Sequence, residues 1–185
     1  MEHLHSLRNH LLIAMPQLRD SWFEGTVTYL CEHNEEGAMG LVLNRDLPVT
    51  FEEVCEQLDI PLLSGVNPAV MNGGPVSPEQ GFILHQEQGI WGSTLSVNEQ
   101  VHLSSSRDIL AAIAAANGPR HYRLALGYAG WSGGQLDREI LENSWLTVPA
   151  DTELLFNTPP EQLYKAALAR LGISSSALNS FSGHA

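Results

Sequence analysis

A chain of 185 residues, 43% of them hydrophobic, carries enough apolar material for one sizeable core and is short for two. Its 21 acidic against 9 basic residues give a formal charge of −12, a field that repels nucleic-acid phosphates and anionic lipid, and its arginines and single lysine form no basic patch. No stretch approaches the roughly 18 apolar residues of a membrane span, the start has no signal-peptide pattern, and two scattered cysteines, Cys31 and Cys55, make no disulfide framework, so a soluble cytoplasmic protein is expected.

In chain order, residues 1–8 read as a flexible polar leader before a single domain over 9–185. His10–Met15 is a strand candidate, and the β-branched and aromatic run Thr26–His33 is another. Asn34–Gly37 turns the chain back into the apolar run AMGLVLN, which predicts a hairpin. Thr50 with Glu53 forms a capping box, and Phe51, Val54, Cys55 and Leu58 recur at helical spacing, predicting a helix over 51–59. Ala69–Asn72, Gly81–His85 and Thr94–Val97 are short strand candidates, with the NGGP turn after the first. A helix over 106–117 should begin on serines of the 104–106 triplet and end on Gly118 as a left-handed cap before Pro119. His121–Ala129, Trp145–Val148 and Glu153–Phe156 are further strands, and Thr158, Pro159, Glu161 and Gly172 bracket a last helix. Many short strands with glycines inside them predict an α+β domain with a flattened, mostly antiparallel β-barrel-like sheet flanked by helices.

GYAGWSGGQLDREI, 127–140, has the look of a phosphate-binding turn, but its glycines fit neither the dinucleotide fingerprint nor the P-loop spacing, and no lysine is present. Asp137, Glu139 and Glu142 in the following helix would repel a phosphate, and Ser132 with Gln135 reads as a capping box. The stretch is therefore read as a close-packed strand-to-helix turn, with no cofactor expected. Alternation puts Cys31 and His33 on one strand face, but no third group orients them as a catalytic pair. No HExxH or other ligand spacing predicts a metal, and no GxSxG elbow predicts a serine nucleophile.

The segments NHLLIAMP (9–16), CEHNEEGAMGLVLNR (31–45), NGGPVSPEQGFILH (72–85), SSSRDIL (104–110), LGYAGWSGGQLDREILENSWL (126–146), LLF (154–156) and the terminal GHA (183–185) together resemble the YqgE/AlgH family of bacterial proteins. Asp46 departs from that pattern, standing where the family commonly has proline. The resemblance implies one cytoplasmic domain of the fold just described. It implies no reaction: the family has no assigned catalytic residues, and some members are labelled transcriptional regulators of polysaccharide synthesis.

The polar and glycine-rich motifs fall at predicted strand ends, which makes Asn44, Arg45, Asn72, Gly73, Gly74, His85, Gly130 and Trp131 the candidate binding residues. The expectation is a non-enzymatic regulatory or binding protein acting through a protein partner or a small anionic ligand. The alternatives are an enzyme on a small anionic metabolite, with His85 as base and Arg45 holding the anion, and direct DNA contact, which the charge disfavours.

Overall fold

The computed structural model describes residues 5–86, 91–174 and 176–178; Gly183–Ala185 of the terminal motif and the first four residues of the leader lie outside these. Among the described residues nine strands form one curled sheet: β1 (His10–Ala14), β2 (Val27–Asn34), β3 (Gly37–Val42), β4 (Val70–Asn72), β5 (Val76–His85), β6 (Thr94–Ser96), β7 (His102–Ser104), β8 (Tyr122–Ser132) and β9 (Trp145–Pro149). The order across it is β6-β7-β5-β8-β3-β2-β1-β9, with every neighbouring pair antiparallel, while β4 runs parallel beside β8. The long β8 is the hinge of this half-barrel, since it pairs with β3, β4 and β5 along successive parts of its length.

Four helices complete the domain among the described residues: α1 (Phe51–Gln57), α2 (Arg107–Ala114), α3 (Gln135–Leu141) and α4 (Pro160–Arg170). The capping box of α1 forms in both halves, Thr50 Oγ1 accepting from the N–H of Glu53 and the Glu53 carboxylate accepting from the N–H of Thr50. The inner face of the sheet carries Leu11, Ile13, Tyr29, Leu41 and Leu84, against which α4 lays Leu163, Ala167 and Leu168. Each fully buried leucine contributes about 1.5–3 kcal/mol to the fold. The outer face has two separate covers. Helices α1 and α2 bury Phe51, Val54, Ile109 and Ile113 against Val70, Ile83 and Leu124, and α3 buries Leu136 against Leu12, Leu30, Ala129 and Trp131.

Ser6, Leu7 and Arg8, inside the expected leader, are tied to this sheet. Ser6 Oγ donates to the His33 carbonyl and the Leu7 N–H donates to His33 Nδ1. Arg8 Nε donates to the Val97 carbonyl at 2.8 Å, and its guanidinium also reaches the carbonyl of Ser96. One side chain thus links the start of β1 to β6, the opposite end of the sheet.

Several local expectations are corrected. Glu153–Asn157 is a π-helical turn where a strand was predicted, because Asp151 Oδ1 accepts the N–H of Leu154 and starts a helical turn, with adjacent Leu154 and Leu155 both buried. The last helix begins at Pro160 without a side-chain cap, as Thr158 Oγ1 instead donates to the Glu153 carbonyl. Gly118 does not take the left-handed cap; Ala116 does, at φ 60°, and Gly118 passes so close to Ile113 that a Cβ there would lie 2.6 Å from its Cγ1. Of the serine triplet, Ser104 is buried in β7, a strand too short and polar to show periodicity, and Ser106 precedes α2 without capping its backbone. Helix α3 is capped by Gly134 at φ 78°, so only half of the Ser132 and Gln135 box exists, with Gln135 Oε1 accepting from the Ser132 N–H.

Candidate functional site

Two irregularities in the strands shape the inner face. The β2–β3 register shifts between Leu30 and Glu32, and Gly127, at φ 79°, interrupts the alternation of β8. Leu30 and Leu126 point outward, yet two residues on, Glu32 and Tyr128 face inward. The same shift separates Cys31 from His33, correcting the expectation of a shared face. Cys31 is buried in the inner core, where burial pushes its thiol far above the usual range, whereas His33 reaches outward to Asp137 of α3, 2.8 Å away.

Where α4 leaves the inner face uncovered, a groove of about 670 Å³ opens. Phe82, Leu95, Leu103 and Tyr128 supply its apolar side, Phe82 and Tyr128 meeting edge-to-face at 5.6 Å. Glu32, Asn34 and Glu36, at the β2–β3 hairpin, form an exposed polar rim. Gly130 adds no side chain there, so the groove stays open above Met39, its partner in β3. A Cβ on Gly130 would lie 3.5 Å from Tyr128 Cε2, an ordinary contact, so this glycine is not required by crowding.

The candidate residues divide among different places. Gly130 and Trp131 line the groove. Trp131 is mostly outward-facing, stacked near Phe23 and edge-to-face with Trp145, with its indole N–H on Glu139 Oε1 at 3.1 Å. Asn44 bonds the Val27 N–H and the Gly25 carbonyl, closing the loop before β2. Arg45 donates to the carbonyls of Trp22 and Glu24 and lies 4.4 Å over the Trp22 ring; burial pulls its pKa down, with Glu24 opposing. Asn72 Oδ1 accepts the Gly74 N–H. Gly73 and Gly74 sit against β8, where a Cβ would fall 2.3 Å from the Gly127 carbonyl oxygen and 2.0 Å from the Tyr128 carbonyl carbon respectively.

His85 is fully buried, with Nε2 2.8 Å from Ser104 Oγ, and that hydroxyl meets Thr94 Oγ1 at 2.8 Å. His102 lies beside it, ring centroids 5.6 Å apart, with Nδ1 on Ser96 Oγ and a buried Nε2 that has no hydrogen-bond partner among the described residues. Arg45 and His85 share no bonding partner among these contacts, and a base role for His85 would require its cover to open. The groove residues Glu32, Met39, Phe82 and Tyr128 were absent from the sequence-derived set. Among the described residues there is no cluster of three metal-type side chains and no helix long and apolar enough to cross a membrane.

Fold and groove define a class: an α+β half-barrel with helices on its outer face and an open trough within. The chain belongs to the AlgH-like family, whose model matches residues 11–176. It is 48% identical to a UPF0301 protein of Thioalkalivibrio sulfidiphilus over 178 residues, 96% of each chain. The solution structure of AlgH from Pseudomonas aeruginosa superposes with a TM-score of 0.82 at 46% identity, covering 100% of this chain and 99% of that one. A Corynebacterium diphtheriae protein, DIP2367, shares the fold alone, at a TM-score of 0.70 and 20% identity over 92% of this chain and 90% of that one.

Proposed function

We propose that the protein is a non-enzymatic binding protein of the bacterial cytoplasm that holds a segment of a protein partner in the inner-face groove, and that any regulatory effect follows from that capture. The observation carrying this reading is a preformed trough with an apolar side, a polar rim and a floor left open at Gly130. The buried state of His85 and the engagement of Arg45 by two carbonyls weigh against the metabolite enzyme. The acidic rim weighs against an anionic ligand or DNA at this place.

Gly130→Leu tests it, because a Cβ there would meet only the side chains of Tyr128 and Val76, at 3.5 and 4.0 Å, and the added side chain would stand in the groove. A partner recovered with the native protein from a bacterial cell is identified, purified and titrated calorimetrically against both forms. Loss of binding with unchanged melting temperature is the expected result. Equal affinity for both forms rejects the groove as the site.

A further inference from the structure

We infer that the groove takes an extended peptide segment in which an apolar side chain is flanked by lysine or arginine; this rests on the groove reading above. The rim carboxylates of Glu32 and Glu36 are exposed, and among the described residues no cation pairs with either. Among the described residues no basic side chain lines the groove. Two arginines that approach the inner face are already engaged: Arg8 by the carbonyls of Ser96 and Val97, and Arg123 by those of Leu155, Phe156 and Thr158.

An incoming cation therefore meets unneutralised carboxylates within a chain of net charge −12, which also steers it inward. The apolar side at Phe82, Leu95 and Leu103 explains why charge alone is not enough. It would bury one apolar anchor together with the methylene stems of flanking lysines or arginines, whose charged heads then extend to the rim. A purely polar cation would leave that surface wet, and a neutral apolar peptide would leave the rim unused.

The test is selection of a random dodecapeptide phage library on the full chain, followed by amide chemical-shift mapping of the best synthetic peptide. The expected outcome is enrichment of sequences with lysine or arginine around an apolar residue, and shifts concentrated at Met39, Leu95 and Gly130. Affinity should fall about five- to tenfold in the Glu32→Gln/Glu36→Gln variant, the loss appropriate to two exposed charge pairs, and also fall with added salt. Neutral or acidic peptides that shift the same amides would overturn the basic partner while leaving the groove reading intact. No enriched peptide, or peptides that shift amides elsewhere and bind Gly130→Leu equally, would overturn both.

Discussion

Gly74 fills the side-chain space of Gly127: a Cβ on Gly127 would stand 2.3 Å from the Gly74 carbonyl oxygen, while a Cβ on Gly74 would stand 2.0 Å from the Tyr128 carbonyl carbon. Gly127 also holds φ at 79°, a region that costs other residues about 1–2 kcal/mol. Gly134 has nearly the same φ, 78°, but a Cβ there would meet nothing within 4 Å. Gly127→Ala should therefore destabilise the protein by about 2–5 kcal/mol, the left-handed cost plus overpacking, and Gly134→Ala by only about 1–2 kcal/mol. Urea-unfolding midpoints measure both, and equal losses would show that close approach is not what fixes Gly127.

These glycines also mark the boundary of what the sequence could show. The motif spacing argues against a phosphate site, but the apposition of NGGP with Gly127 joins segments about fifty residues apart, which no local pattern records. Helix α1 was legible because its capping box is a local arrangement, and both halves of it form. Glu153–Phe156 misread as a strand because a short apolar run has no period; the usable signal was Asp151 three residues before Leu154. The groove was missed for a different reason. Counting alternate residues fails beyond a bulge, and the irregularities at Leu30/Glu32 and Gly127 carry Glu32 and Tyr128 to the inner face. Polar motif residues such as Asn44 and Arg45 proved to be engaged in tying loops together.

Glu139 joins three elements through one carboxylate. Its Oε1 accepts the indole N–H of Trp131 at 3.1 Å and of Trp145 at 3.0 Å, and its Oε2 accepts from Gln135 at 2.9 Å. Glu139→Ala leaves two largely buried indole donors without that acceptor and should cost about 2–4 kcal/mol, whereas Glu139→Gln keeps one oxygen acceptor and should cost less. Equilibrium unfolding followed by tryptophan fluorescence reads the difference. An alanine variant as stable as the native protein would remove the carboxylate from any structural role.

Asp108 gives a pH prediction. Its carboxylate is held below the usual range chiefly by the Ser106 hydroxyl; burial opposes this, and the N–H groups of Gly92 and Ile109 add smaller lowering effects. A depressed folded-state pKa stabilises above the unfolded value, about 3.9, and that contribution is lost as pH falls through the folded value. Asp108→Asn should therefore lower the urea midpoint at pH 7, and the gap to the native protein should narrow at pH 3. Because Asp108 is exposed the effect is small, and a gap independent of pH would contradict the assignment.

Arg45 separates a structural reading from a ligand-binding one. Its guanidinium donates to the carbonyls of Trp22 and Glu24 and covers the Trp22 ring at 4.4 Å, so it fastens the loop ahead of β2 to the chain leaving β3. Charge-assisted bonds and cation–π contact at a partly buried site together support a loss of about 1–3 kcal/mol in Arg45→Ala. Arg45→Lys should recover only part of it, because an ammonium lacks the planar fork that spans two carbonyls while stacked on the ring. Hydrogen exchange should accelerate across Trp22–Gly25 in both variants, while peptide affinity for the groove stays unchanged. If Arg45→Ala instead abolished peptide binding with the loop still protected, Arg45 would belong to the recognition surface and the site would extend well beyond the groove.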